Sequence, residues 1–95
     1  MSTKHKKILT TQIVVNRPCR LMGFLIGTDG TNDPTITVYD GTTNSGDEIV
    51  PTNTYDASIL GLNGFMLDGM GIGAYDGLYC EITCSGVVEV VIYYV

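Results

Sequence analysis

What most constrains this chain is how often turn residues interrupt it. Asp-Gly occurs at positions 29–30, 40–41, 68–69 and 76–77, Asn-Gly at 63–64, and Ser-Gly at 45–46 and 85–86. These pairs suit the positive φ angles of tight turns, because Gly has no Cβ and Asp or Asn bonds its own local backbone. No stretch sustains a 3.6-residue apolar periodicity, so no helix is expected. Between the turns lie short runs rich in Val, Ile, Thr and Tyr, which read as strands.

Strands are expected at residues 7–16, 20–28, 35–39, 48–50, 55–60, 64–67, 78–84 and 87–95, with Pro51 ending the fourth. The seventh alternates cleanly, placing Leu78, Cys80, Ile82 and Cys84 inward and Tyr79, Glu81 and Thr83 outward. About eight short strands spaced roughly 8–12 residues apart point to an all-β chain, an antiparallel β-sandwich of jelly-roll type. One small domain fits 95 residues, a length that buries about 60–65% of its unfolded surface. Tyr-Asp recurs at 39–40, 55–56 and 75–76; the spacing is too uneven for a solenoid and reads as a strand-end device used more than once.

Charge is sharply divided. Lys4, Lys6, Lys7, Arg17 and Arg20 are the whole basic complement, and all ten acids lie from Asp29 onward. The first 20 residues carry +5 and the remaining 75 carry −10. Residues 1–7 are expected to be a flexible basic arm and residues 8–95 a single sandwich. Such an arm can dock on an acidic surface, a neighbouring copy included. Lys4, Lys6, Lys7, Ile8, Ile13 and Val15 are the candidate docking residues. A body at −10 is repelled by phosphate, so no nucleic-acid partner is expected. No run approaches a membrane span or the core of a signal peptide, so no membrane partner is expected and synthesis in a cytoplasm is.

The closing run 87–95 (VVEVVIYYV) has no polar face apart from Glu89. A strand covered on both sides reads this way. Val87, Val88, Val90, Val91, Ile92, Tyr93, Tyr94 and Val95 are therefore the candidate oligomer interface, with a homo-oligomer expected and a trimer favoured.

Catalysis has little to work with. The one histidine, His5, sits in the basic segment, so no Ser–His or Cys–His pair is expected. Cys80 and Cys84 in one extended strand would have Cα atoms about 13 Å apart, too far for a disulfide. All three cysteines read as small buried hydrophobes. The Asp-rich turns at 29–33 and 40–48 lack EF-hand spacing, since Ser45 stands where Gly is required. No cofactor and no enzyme activity are expected. A carbohydrate-binding or host-interaction module is the competing class, although the chain has no Trp.

Segments 38–49 (VYDGTTNSGDEI) and 76–86 (DGLYCEITCSG), with the closing VIYYV, resemble a group of small phage-encoded proteins. The shared pattern is a strand ending in V-Y-D, a Ser/Thr/Gly loop, a late G-L-Y strand and a final Val/Tyr strand, and it covers roughly residues 20–95. The resemblance implies a virion protein, acting as a capsid decoration or tail-associated subunit and partnered by a phage capsid or tail protein. It brings no catalytic residues. The cysteines and the Lys-rich start lie outside the pattern.

Overall fold

The computed structural model describes residues 3–59, 63–67 and 69–95. These form β1 (Lys4–Ile8), β2 (Gln12–Val15), β3 (Cys19–Thr28), β4 (Thr35–Asp40), β5 (Asp47–Thr54), β6 (Asn63–Met66), β7 (Ile72–Ala74), β8 (Leu78–Thr83) and β9 (Val88–Tyr94). The described residues contain no helix. The first sheet has the order β1-β9-β3-β6, with β7 also on β3, and the second has the order β2-β8-β4-β5.

The pairings are nested. β1 pairs with β9, β2 with β8, β3 with β6 and β7, and β4 with β5, all antiparallel. This is one long hairpin rolled on itself, so that β9 also meets β3 and β8 also meets β4. That arrangement is the jelly roll. β6 lies along residues 23–26 of β3 and β7 along residues 19–21, so the two together occupy one strand position. Among the described residues nine strands thus fill eight strand positions.

Several boundaries differ from expectation for physical reasons. The run 7–16 is two strands in different sheets, not one. The corner at residues 9–11 contains no Gly or Pro. It is held instead by Thr11, whose Oγ1 donates to the Ile82 carbonyl (3.1 Å) and accepts from the Ile82 N–H (2.9 Å). β5 continues through Pro51 because it is an edge strand. It bulges there, setting Pro51 and Thr52 against Thr37, so the missing N–H breaks no rung. Residues 55–59 form a turn rather than a strand, and Leu60 lies outside the described residues. The 63–64 pair is not a turn either. Gly64 sits within β6 at φ +129°, where a Cβ would collide with the Phe24 carbonyl. Of the 68–69 turn only Gly69 is described, at φ +72°.

The core lies between the sheets. Ile8, Leu21, Phe24, Ile26, Val90 and Ile92 of the first meet Val15, Ile36, Val38, Leu78 and Cys80 of the second. Phe24 is fully buried, with Phe65 edge-on at 4.8 Å and Tyr55 at 5.9 Å. Residues 4–7 are not a free arm: they pair rung for rung with residues 91–94 of β9. Ile8, the one buried residue of β1, anchors them, and Lys4, Lys6 and Lys7 then blunt an exposed sheet edge against unwanted pairing.

Candidate assembly surface

The expected interface and docking residues are split by the sandwich. Val88, Val90 and Ile92 point into the protein's own core, as do Ile8 and Val15. None of these five is available to a partner. The closing strand is not covered on both sides as expected: within the five-stranded sheet, flanked by β1 and β3, it buries Val88, Val90 and Ile92 and turns Glu89, Val91 and Tyr93 outward. Val91 and Tyr93 point outward, half-buried, and Tyr94 and Val95 are also half-buried. Val87, in the turn before β9, is 70% exposed. Ile13 is on the outer face of the second sheet, across from Tyr79.

Directly opposed residues share a face, so the ladders define both outer surfaces. On the first sheet, Val91 lies between Lys7 and Leu25, and Tyr93 between His5 and Gly23, with Met66 beyond. The His5 and Tyr93 rings are 6.2 Å apart. Lys7 reaches Glu89 at 3.7 Å, the one ion pair among the described residues. On the second sheet, Thr35 and Thr37 join Thr54 and Thr52 through hydroxyl bonds of 2.8 and 2.7 Å. Tyr39 and Tyr79 sit side by side with ring centres at 6.2 Å. The Tyr39 hydroxyl and Asn44 Nδ2 each donate to Glu81 at 3.4 Å. Loss of water around the Tyr39 hydroxyl, then the Glu81 and Glu48 charges, push its pKa up.

The loops gather at two ends. At one, residues 9–11, 29–34, 55–59 and 84–87 meet. Asp29 Oδ1 accepts from the Thr31 and Asn32 N–H groups at 2.9 and 2.8 Å, and Asp33 Oδ1 accepts from Ala57 N–H at 2.9 Å. Those bonds to Asn32 and Thr31 hold the Asp29 carboxyl down to about 2. At the opposite end, Asp40 accepts from Tyr75 N–H (3.0 Å) and Asp76 N–H (2.9 Å). Two copies of the recurring Tyr-Asp pair are thus stitched together, a contact between distant segments that strand and turn patterns do not announce. A groove of about 540 Å³ opens beside it, lined by Pro18, Cys19, Arg20, Gly73, Ala74, Tyr75 and Val95. A second groove of about 250 Å³, with Met22 and Met70 in its walls, shares Arg20 and Val95 with the first.

Of the three free cysteines expected to be buried, Cys80 is, while Cys19 and Cys84 are half-buried. Burial pushes the Cys80 thiol up to about 12 and raises that of Cys19, which disfavours the nucleophilic thiolate. Among the described residues no three His, Cys, Asp or Glu side chains come together as a metal site. No helix among them is long and apolar enough to cross a membrane. No family model, no curated protein and no solved structure matches this chain.

Proposed function

We propose that this chain is a non-enzymatic structural subunit of a phage particle, which associates with copies of itself and docks on a capsid or tail surface. The observation that carries the assembly reading is the set of large apolar side chains left outside a core that is complete without them. Leu9, Ile13, Ile59, Met66, Met70, Tyr75 and Val87 are all exposed. Leu9, Ile59 and Val87 gather at one loop end and Met70 and Tyr75 at the other, and apolar groups concentrated in this way favour partner surfaces. The phage assignment is supported by the resemblance in segments 38–49, 76–86 and 91–95. Jelly rolls serve viral capsids and lectins alike, so the fold by itself does not choose between them. Under this reading the protein is made in the bacterial host cytoplasm and resides in the virion.

The docking role passes from a free arm to a cationic sheet edge. Lys4, Lys6 and Lys7 remain exposed along β1 and can face an acidic particle surface. Deleting them would remove a core-anchored strand, so substitution is the cleaner probe. Light scattering after size-exclusion chromatography should give a homo-oligomer, with a trimer expected. Co-sedimentation with particles should fall when the three lysines become Gln. A monomer at every concentration tested would overturn the assembly reading.

A sugar-binding reading is favoured by one observation, the half-buried Tyr79 ring on the outer face of the second sheet, backed by the buried Tyr39 and near a Glu81 that accepts bonds from Tyr39 and Asn44. It expects a glycan-dependent rise in melting temperature that Tyr79→Ala abolishes.

A further inference from the structure

We propose that copies of this chain join end to end, the acidic apolar loop tip of one copy seating in the arginine-lined groove at the far end of the next. This rests on the self-association reading and names the two surfaces that meet.

The tip combines grease and charge in one place. Val87, Leu9 and Ile59 are 70%, 55% and 51% exposed there. The same four loops carry Asp29, Asp33 and Asp56 and no Lys or Arg. These carboxylates are held in place rather than waving in solvent. Asp29 is fixed by Thr31 and Asn32, with the Val87 amide adding to its bonds. An exposed valine therefore stands beside a fixed anion. Asp56 is tied in the same way to the Ser58 N–H and hydroxyl at 2.9 and 2.7 Å. Ordering such groups in advance lowers the entropy lost on docking.

The opposite end offers the complement. Arg20 lies between the two adjoining grooves and belongs to both. Arg17 stands in the turn just before it. Tyr75 and Met70, 83% and 69% exposed, flank the grooves and would cover an incoming apolar side chain. Gly73 keeps the floor open: a Cβ there would meet only the Arg20 guanidinium, at 4.0 Å. Arginine suits this task because its planar fork grips a carboxylate in two bonds and tolerates partial drying.

Tip and groove are different surfaces at opposite ends, so the contact is heterologous. Repeated, it closes into a ring or runs on as a filament, depending on the rotation at each step. A second copy is the occupant because the acid and valine of the tip match the Arg20, Tyr75 and Met70 of the grooves, where the nearby Asp40 carboxylate is already engaged by the Tyr75 and Asp76 amides.

The test uses two exposed positions in the full chain, Arg20→Glu and Val87→Lys, each checked for a native circular dichroism spectrum. Sedimentation equilibrium should show each variant alone associating at least about tenfold more weakly than the parent, the scale of one lost charged contact. An equimolar mixture should recover association, because the unchanged tip of R20E enters the unchanged groove of V87K and the two altered surfaces are opposite in charge. If the parent assembles while both variants assemble as tightly, or the mixture fails to recover, the end-to-end contact is wrong and the self-association reading stands. A monomeric parent overturns the self-association reading itself.

Discussion

The two sheets complete their outer faces in opposite ways. The second sheet satisfies itself: Thr35 with Thr54, Thr37 with Thr52, and Glu81 between Tyr39 and Asn44 form cross-strand contacts that leave little unfinished. Its central strand is so well covered that Thr37, on the outside of the sandwich, is only 2% exposed. The first sheet is gapped instead. Gly27 leaves open space on its outer face beside the half-buried Leu25, Val91 and Tyr93, and Met66 projects at its edge, while at Gly23 and Gly64 neighbouring backbone packs close. A polar ladder closes a face from within, whereas an apolar face with missing side chains stays open to a partner.

The largest test of this contrast asks whether the faces share one foundation. Phe24 is buried between the sheets, so Phe24→Ala should cost about 3–5 kcal/mol in urea unfolding. Backbone and tyrosine signals should shift together. Separate transitions would mean that the sheets are not one cooperative unit.

Gly64→Ala probes the gapped sheet. Its φ of +129° and the Phe24 carbonyl in the way should together cost about 2–3 kcal/mol. An unchanged midpoint would show that the close backbone approach at Gly64 does not require glycine. Asp40→Ala removes the clamp at the end of the second sheet and leaves the Tyr75 and Asp76 amides without their acceptor. A loss of about 2 kcal/mol is expected, the scale of hydrogen bonds to a charged group. Faster amide exchange at residues 75 and 76 should accompany it.

Thr37→Val keeps the shape of the self-satisfied face and deletes one rung, so a loss of about 1 kcal/mol is expected. The smallest effect is set by pH. The Asp29 carboxyl is held at about 2 in the folded chain, below its unfolded value of about 3.9. A depressed folded value contributes stability that is fully present above the unfolded value and lost as pH falls through about 2. Between pH 5 and 2 the parent should therefore lose more melting temperature than Asp29→Asn. Parallel curves would remove Asp29 from the account.

Much of the fold was legible in the chain. Residues 78–83 announce their two faces because Tyr79, Glu81 and Thr83 alternate with Leu78 and Cys80. The closing strand was legible as a strand but not in its facing, since Val91 and Tyr93 hide the period of Val88, Val90 and Ile92. The three lysines disguised β1, whose single buried residue is Ile8. The corner at 9–11 was hidden because Thr11 makes it with a side chain 71 residues from its partner. The surfaces were the least legible. Tyr39 beside Tyr79, and Val87 beside Asp29, are neighbours only through register and closure, which short-range patterns do not encode.

The nested pairing has a consequence for how the chain is made. β9 follows every other strand in sequence, yet it lies between β1 and β3 and contributes Val88, Val90 and Ile92 to the core. Until it leaves the ribosome, Ile8, Phe24 and Ile26 have no central neighbour, and β1 has no strand to pair with. Translation adds about 5–20 residues per second. During that interval the nascent protein lacks the strand that joins β1 to β3 and part of the core that covers Phe24 and Ile26. Folding itself must wait for its longest-range contact, which places it with slow β topologies, closing in milliseconds to seconds.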